Sequence, residues 1–498
     1  MANKLTLFVL SLLLLPRLSA AQLQLPSFEA IREAARGRDA AAPTFTPAKY
    51  KTQPGPGSVV PAQPPNLKLS QVIDLVKRLE DIERKKTGRS TLSADPKNSR
   101  LVSRLAEIDI TFVDPIPAER WNGILKEMGD TAESQFDAAG GNWSKLIDLM
   151  LKKAVSSLKD PHSMYLNSEE YKRLQEQLQG SFAGFGISIK ESPEGLGVEG
   201  VFPRSGAAKA GLAAGDVITE VDGVVLKGKP LEAMMRLVRG AEGSQSKAFF
   251  LRGGRRYGPV TVTRVKVEMP NAYAKMAADR IGYVYFNQFQ EDTDQRFFEL
   301  VKSLQAQGAK AVVIDVRGNP GGRLDTASSI VSEFLSDGAP IVALKKQGQV
   351  QVSFITDGDG MFQGLPMAVL INGHSASASE ILAGAFQDLK KAVVIGSRSY
   401  GKGTAQGISP EPGGEALKLT GSRWYTPADR SIDGARDPAT GAVAPGTGGV
   451  MPDVVVDVPD EAEARILGDI MRELNGLPLT GPRAPDPVLE KAVEMLRK

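Results

Sequence analysis

Two apolar runs, each ending in a turn of small residues, constrain the fold of this 498-residue chain more than any other feature. Residues 311–316 run into a glycine-bearing turn at 317–322, and residues 367–371 run into a serine-rich turn at 372–380. Apolar residues at helical spacing follow both turns. Continuous apolar runs favour strands buried on both faces, and strands that alternate with helices favour a layered α/β domain. Open α/β sheets place their sites at such turns.

The second turn carries Ser375, Ser377 and Ser379 where a predicted strand passes into a predicted helix. This placement exposes side chains and aims backbone N–H groups at a docked ligand. A serine needs a base that takes its proton before it can attack a carbonyl. Lys402 is the candidate base, because a neutral lysine can serve if desolvation lowers its pKa.

The residues around this lysine and serine leave other interpretations open. Ser377 and Glu380 also fit the S-x-x-E pattern of a helix capping box, and Lys402 could be an ordinary exposed turn lysine. Lys402, Thr404 and Gln406 alternate, so an extended strand would place them on one face, where Gln406 could orient the amine by hydrogen bonding.

Two rival mechanisms fit less well. Gly396, Gly401 and Lys402 nearly match a phosphate-binding loop, but Gly403 stands where a Ser or Thr should be, and glycines and prolines follow instead of a helix. A Ser-His-Asp triad is disfavoured because His374 shares the turn with Ser377 and is more suited to shape that turn or contact substrate. The other histidine, His162, is interpreted as a structural cap just past a helix.

Composition narrows the function further. The net charge is only +3, which argues against a nucleic-acid partner. The chain has no cysteine, which excludes disulfides, thiolate metal sites and a cysteine nucleophile. We expect no cofactor and no metal.

The N-terminus predicts export. Lys4 precedes an apolar run at residues 5–15, and small residues at 19–21 supply a cleavage point. The run is too short for a comfortable membrane span, so a signal peptide of residues 1–21, cleaved after Ala21, is favoured over a retained anchor, although Arg17 is awkward for this interpretation. We therefore expect the protein to be located in the periplasm or cell envelope. Residues 22–66, rich in Ala and Pro, are predicted to be a disordered tether.

The next two regions differ in character. Residues 67–179 show apolar residues at helical spacing and are predicted to be helical. Residues 180–267 read as short strands with turn signals, including a hairpin turn at Asp222 and Gly223.

Three blocks in this second region, residues 184–189, 201–212 and 214–223, together resemble a PDZ domain. The resemblance implies that N–H groups of a glycine-containing loop hold the terminal carboxylate of a peptide, while the strand edge after the loop pairs with the peptide backbone. The implied peptide-binding residues are Gly184, Phe185, Gly186 and Ile187. The alternative is a small β module whose glycines only make turns.

The remaining regions are an α/β core at residues 268–459 and a helical region at 460–498. Three motifs, at residues 315–322, 375–380 and 401–406, closely resemble those of the carboxyl-terminal processing (tail-specific) serine proteases. The resemblance runs from about Val102 to the C-terminus and implies a crotonase-like (ClpP-like) core, flanked by the PDZ domain and the helical segments.

The resemblance also assigns roles. It implies Ser377 as the nucleophile, Lys402 as the general base and Gln406 as the support of that lysine. The implied oxyanion hole consists of backbone N–H groups of Ala378 and of either Gly321 or Gly322.

The implied activity is that of an endopeptidase that recognises and cleaves near the C-terminal tails of exported proteins. Expected partners are those tails, an adaptor or regulatory protein, and a second subunit paired through the terminal helical segments. The PDZ domain is expected to gate the site. The alternative from a different class is a non-catalytic PDZ scaffold that holds tails without cutting them.

Overall fold

The computed structural model describes residues 50–55, 66–90, 92, 97–202, 204–268, 271–278, 280–435, 437, 443–444 and 446–497. The predicted signal peptide and most of the predicted tether lie outside these residues. Within them, none of the helices combines the length and apolarity that a membrane crossing would need.

The first part of the chain is mainly helical. Its elements are β1 (Tyr50–Pro54), α1 (Leu69–Thr87), α2 (Lys97–Thr111), α3 (Ala118–Gln135), α4 (Trp143–Ser156), β2 (Met164–Leu166) and α5 (Ser168–Gln179). Asn142 and Asn167 cap α4 and α5 by accepting backbone N–H bonds, which satisfies donors that a helix leaves open. The helices bury a shared apolar core around Trp121, Leu146 and Met150.

A small β-rich domain follows. Its elements are β3 (Ser181–Gly184), β4 (Ile187–Ser192), β5 (Gly195–Val201), α6 (Gly206–Lys209), β6 (Val217–Val221), β7 (Val224–Val225), α7 (Leu231–Val238), β8 (Gln245–Arg252), β9 (Arg255–Thr263) and β10 (Val265–Glu268). The antiparallel sheet has the order β4-β5-β6-β8-β9, with β7 paired to β6 and β10 paired to β3. The predicted hairpin turn is confirmed, since β6 and β7 flank Asp222 (φ 49°) and Gly223 (φ 80°).

The α/β core and the C-terminal helices complete the chain. Their elements are β11 (Ala272–Ala278), β12 (Ile281–Phe286), α8 (Thr293–Ala306), β13 (Ala311–Asp315), α9 (Leu324–Ser332), β14 (Pro340–Lys346), β15 (Gln349–Thr356), β16 (Met367–Ile371), α10 (Ala378–Asp388), β17 (Ala392–Gly396), β18 (Thr404–Pro410), β19 (Ala416–Tyr425), β20 (Val454–Val455), α11 (Asp460–Leu474) and α12 (Pro487–Leu496).

The central sheet of the core has the order β11-β12-β13-β16-β17-β20. It is parallel from β12 to β20, and only β11 runs antiparallel. Helices α8, α9 and α10 pack on one face, and α11 and α12 pack on the other. Every residue of β13 and β16 is buried, which confirms the prediction that the apolar runs are covered on both faces.

A second sheet, in the order β1-β15-β14-β19-β18, joins the core to the helical region. Leu417 and Leu419 of β19 belong to the apolar core of that helical region. The tether prediction is wrong at Tyr50–Pro54, because these residues pair antiparallel with β15. A proline is tolerated there because an edge strand has one side without ladder bonds.

Candidate active site

The three serines of the turn before α10 differ in their surroundings. Ser375 and Ser379 are fully buried, and their hydroxyls donate to the carbonyl oxygens of Val316 (2.7 Å) and Asn319 (2.8 Å). Ser377 is only half-buried and has φ 56° and ψ −114°. A positive φ is unusual for a residue with a side chain and is found at functional turns. The hydroxyl bonds of Ser375 and Ser379 therefore fix the turn, and the turn leaves Ser377 partly exposed.

A buried glutamate joins this turn to the lysine turn. Glu380 is fully buried, and its Oε2 accepts the backbone N–H groups of Ser377 (2.7 Å) and Lys402 (2.9 Å). Its Oε1 accepts from the Ser399 hydroxyl (2.6 Å) and the Gly401 N–H (2.6 Å). The Ser377 bond is the backward contact of the predicted capping box. The other three hydrogen bonds come from residues 399–402, which lie 19 to 22 positions after Glu380. One carboxylate therefore holds both turns in place.

The electrostatics of this carboxylate follow from its position. Burial raises the pKa of Glu380 above the ordinary carboxyl value, and the four donated hydrogen bonds oppose that rise without cancelling it. An ionised carboxylate can accept about four hydrogen bonds and donates none, so these four donors use its full capacity.

Trp424 fixes the backbone of Lys402 and of its neighbour Gly403. The carbonyl oxygen of Lys402 accepts the indole N–H of Trp424 at 2.9 Å, while Gly403 accepts the backbone N–H of Trp424 at 2.9 Å. Lys402 as a whole residue is half-buried. Strand β18, and not a helix, follows this turn, as expected for a chain segment that is not a phosphate-binding loop.

Gln406 lies on β18 with Thr404 on the same face, as the alternation predicts, but Lys402 precedes the strand and lies in the turn before it. Its Nε2 donates to the hydroxyls of Thr404 (3.0 Å) and of Thr420 on β19 (3.1 Å). The extra residue that breaks the pairing of the two strands is Gly421 on β19, so β18 keeps its regular alternation.

The glycine turn touches the serine turn directly. A Cβ added at Gly321 (φ 100°) would lie 2.8 Å from the Cβ of Ser377 and 2.9 Å from the backbone nitrogen of Ala378. Ala378 is the first residue of α10, so the helix itself provides no partner for its N–H. The N–H of Gly321 already donates to Asn319 Oδ1 at 2.9 Å, so it could serve an oxyanion only by sharing or leaving that bond. A Cβ at Gly322 would collide with the backbone of Phe289.

Sequence reasoning missed a buried ionic cluster beneath the glycine turn. Arg317 is almost fully buried between Asp315 and Asp486, and its Nη2 lies 2.6 Å and 2.7 Å from their carboxylates. Tyr283 donates its hydroxyl to Asp315 at 2.8 Å. Burial would lower the pKa of Arg317, but the two carboxylates raise it well above the ordinary value, so the cation persists. Asp486 precedes α12, far along the chain, and no local pattern points to this partner.

Neither histidine is central to this arrangement. His374 is exposed, and its backbone N–H donates to Asn372 Oδ1 at 3.1 Å, a bond that does not involve the imidazole, so the role of this side chain stays a prediction. The backbone N–H of His162 donates to Asp160 at 3.3 Å in a turn beyond α4.

The loop predicted to hold a peptide carboxylate lies between β3 and β4. Phe185 is buried, and its N–H is engaged by the carbonyl of Val238 at the end of α7 (3.2 Å). Gly186 has φ 76°, and a Cβ there would lie 2.3 Å from Ser205, so both conformation and space require glycine. Ile187 begins β4, which is the terminal strand in the order of its sheet.

Comparison with known proteins gives two family matches. Residues 280–456 match peptidase family S41, and residues 197–247 match the PDZ domain. A "Probable CtpA-like serine protease" of Staphylococcus haemolyticus (strain JCSC1435) is 33% identical over 294 residues, which are 59% of this chain and 59% of that protein. Its counterpart in Staphylococcus aureus (strain MRSA252) is 33% identical over 320 residues, 64% of this chain and 61% of that protein.

The chain thus spans about three fifths of the length of these curated relatives. Among solved structures, a photosystem II D1 C-terminal processing protease is similar with 26% identity and a TM-score of 0.42, over 74% of this chain and 96% of that one.

Proposed function

We propose that this chain is a serine endopeptidase, because residues 280–456 match peptidase family S41 and residues 197–247 match the PDZ domain. In this proposal Ser377 is the nucleophile, Lys402 is the general base, and Gln406 supports the lysine. The substrates are exported proteins, cleaved near their C-terminal tails.

One observation carries this proposal. The backbone N–H groups of Ser377 and Lys402 donate to the same oxygen of Glu380, at 2.7 Å and 2.9 Å. Their two nitrogens can therefore be no farther apart than the sum of those distances. A nucleophile and its base must lie within hydrogen-bond reach of each other, and this shared anchor brings their chain segments together.

The proposed reaction begins with the neutral amine of Lys402. The amine takes the proton of the Ser377 hydroxyl as its oxygen attacks the scissile carbonyl carbon, and the carbonyl oxygen gains the negative charge. The resulting ammonium returns the proton to the leaving amine as the C–N bond breaks. Water then attacks the acyl-enzyme, again with the lysine as base, and regenerates the serine.

Backbone N–H groups are proposed to stabilise the oxyanion. The N–H of Ala378 is supported by its position at the start of α10, and Gly321 or Gly322 supplies the second donor. Donors fixed in a folded backbone need no reorganisation as the charge develops, and the loss of one typically lowers kcat by about 10²-fold to 10³-fold.

The PDZ domain is proposed to capture the substrate tail. Strand β4 is terminal in its sheet, which leaves an edge where an extended peptide could add as another strand. The loop formed by Gly184, Phe185, Gly186 and Ile187 would receive the carboxylate. Since the N–H of Phe185 is bonded to Val238 and Gly184 pairs with Val265 of β10, the N–H groups of Gly186 and Ile187 are the better candidates.

Location, partners and the crotonase-like (ClpP-like) classification of the core remain proposals. Export to the periplasm or cell envelope is supported by the N-terminal sequence, as is cleavage after Ala21. An adaptor is compatible with a PDZ-gated site. Pairing of subunits through the C-terminal helices would need a surface other than their apolar faces, because Ile466, Ile470, Val488 and Ala492 pack against the chain's own central sheet.

The first test is a turnover assay with a loosely folded protein that ends in an apolar tail. Wild type should cleave it, and Ser377→Ala and Lys402→Ala should each lose at least about 10⁴-fold in kcat. Ser409→Ala and the exposed Lys391→Ala are matched controls that should keep full activity. Cleavage by Ser377→Ala would disprove the proposal. Tail binding by the wild type without cleavage would favour the scaffold.

The pH profile tests the lysine separately. Since the reaction needs the neutral amine, we expect kcat to rise with pH until the lysine is deprotonated in the enzyme–substrate complex. A profile that stays flat from acid to mildly alkaline pH would count against a neutral lysine base.

A further inference from the structure

A chain of hydrogen bonds leads from the helical region to Gln406. The Thr420 hydroxyl donates to Asp160 Oδ2 at 2.5 Å across a sequence separation of 260 residues, and its oxygen receives Gln406 Nε2 at 3.1 Å. Ser163 also donates its hydroxyl to Asp160 Oδ2, at 2.5 Å, and accepts the backbone N–H of Thr420 at 3.0 Å. The three residues Asp160, Thr420 and Gln406 are called the Asp160 relay below.

The direction of each bond in the relay follows from counting protons. An ionised carboxylate can only accept, so the single hydroxyl proton of Thr420 must point towards Asp160. The Thr420 oxygen can then only accept, which requires Gln406 to present its NH₂ group. The second amide proton of Gln406 is taken up by Thr404. Only the amide carbonyl oxygen, an acceptor, remains for any other partner.

The charges around Asp160 favour its ionised form. Burial would raise its pKa, but hydrogen bonds from Ser163, Thr420 and the His162 backbone outweigh this effect and leave the pKa below the ordinary carboxyl value. The nearby titratable groups are His162 and Lys418; burial lowers the pKa of Lys418, and the charge of Asp160 opposes that shift. Asp160 therefore stays an acceptor at neutral pH.

We infer that Asp160, acting through Thr420, is a positioning residue that locks the amide of Gln406 with its carbonyl oxygen available to Lys402. The inference rests on the proposed function, in which Gln406 supports that lysine. An unlocked amide could turn over and direct an N–H at the neutral amine. That N–H would occupy the lone pair that must take the proton of Ser377.

The test uses full-length enzyme with Thr420→Val, which keeps the shape and removes the hydroxyl. We expect kcat to fall about tenfold with KM little changed, since a bond that only positions a catalytic group contributes on the order of one hydrogen bond. Thr420→Ser should recover most of the loss. The carbonyl oxygen of Gln406 would favour the ammonium form of Lys402. Losing this acceptor should therefore lower the pKa of the lysine and shift the acidic limb of the kcat profile to lower pH.

A matched control separates this effect from a general loss of stability. Thr356 is fully buried, donates its hydroxyl to the carbonyl oxygen of Ser336 at 2.6 Å, and lies on β15, which β14 separates from β19. Thr356→Val should lower the melting temperature and leave kcat and its pH profile unchanged. Equal kcat losses in Thr420→Val and Thr356→Val would overturn the inference.

A second measurement is independent of turnover. In a Ser377→Ala background, Asp160→Asn and Gln406→Leu should lower the melting temperature non-additively, because each interrupts the same relay. Additive shifts would overturn the relay. A cleaving wild type with unchanged kcat in Thr420→Val would overturn the catalytic role of the relay alone. A wild type that cleaves nothing would overturn the proposed function and this role together.

Discussion

Two carboxylates hold the candidate site, one from the core and one from the helical region. Glu380 accepts three backbone N–H groups and one hydroxyl, whereas Asp160 accepts two hydroxyls and one backbone N–H. Backbone donors are fixed by the fold, but a hydroxyl can rotate. Glu380 therefore determines where the Ser377 and Lys402 segments lie, and Asp160 determines which way protons point. Position and proton direction are set by different parts of the fold.

The largest expected effect comes from Glu380→Gln, which disrupts the hydrogen bonds made by the carboxylate of the core. The amide would present N–H groups to donors that now share a carboxylate, so at least one buried donor would lose its acceptor, at about 1–3 kcal/mol for each. Because both turns depend on this side chain, we expect kcat to fall by about 10²-fold or more, measured with the tail substrate.

The control for this variant is Glu333→Gln. Glu333 is also buried, and it accepts the N–H of Met361 at 2.9 Å beyond the far end of α9. It should lower the unfolding temperature without changing kcat. If both variants lose stability and neither loses activity, Glu380 has only a structural role.

A smaller effect is expected from Gly321→Ala, which alters the contact between the two turns. The new Cβ would lie 2.7 Å from the carbonyl oxygen of Ala376, and φ 100° is strained for alanine. The serine turn must shift to make room, so we expect kcat to fall about tenfold or more, read in the same assay. The comparison variant is Gly318→Ala, whose Cβ would meet only the side chain of Leu467, at 3.4 Å. Equal loss in both would mean that φ strain matters and the contact with Ser377 does not.

The smallest expected effect concerns pH. A fall in pH should change the contributions of the two carboxylates to the free energy of unfolding in opposite directions. Burial raises the pKa of Glu380, so its contribution to the free energy of unfolding falls as pH rises from the ordinary carboxyl range through the folded-state pKa. Hydrogen bonds hold the pKa of Asp160 low against burial, so its contribution is present above the unfolded-state pKa and is lost as pH falls through the folded-state value.

Chemical denaturation at a series of acid pH values measures this difference. As pH falls, the cost of Glu380→Gln relative to wild type should grow, while the cost of Asp160→Asn should shrink. Costs that change in the same direction would show that the two environments do not differ as described.

Local patterns in the sequence predict the parts of the site that depend on neighbouring residues. The apolar runs predict the buried strands β13 and β16, and S-x-x-E predicts the bond from the Ser377 N–H to Glu380. The capping and catalytic interpretations of this stretch are compatible, since the same carboxylate also receives the Lys402 N–H.

Partners that come from distant parts of the chain could not be predicted. Asp486 beside Arg317 and Thr420 beside Asp160 are set by how layers pack, and no spacing rule reports this. Composition also misled at Tyr50–Pro54, where a Pro- and Ala-rich stretch contains an edge strand, because edge pairing needs backbone groups more than apolar side chains. The roles of Ser377, Lys402, Gln406 and the oxyanion donors stay predictions.

The long sequence separation within the Asp160 relay has a consequence for how the proposed enzyme would mature. Contacts between residues far apart in sequence form late, because a long loop must close first. We expect a folding intermediate with a finished central sheet to hold Ser377 beside Lys402 while Gln406 can still turn. Refolding followed by hydrogen exchange and by turnover should show the sheet protected before cleavage reaches its full rate. A newly made chain would then pass through a folded stage of about tenfold lower activity, and docking of its helical region would bring the proposed peptidase to its full rate.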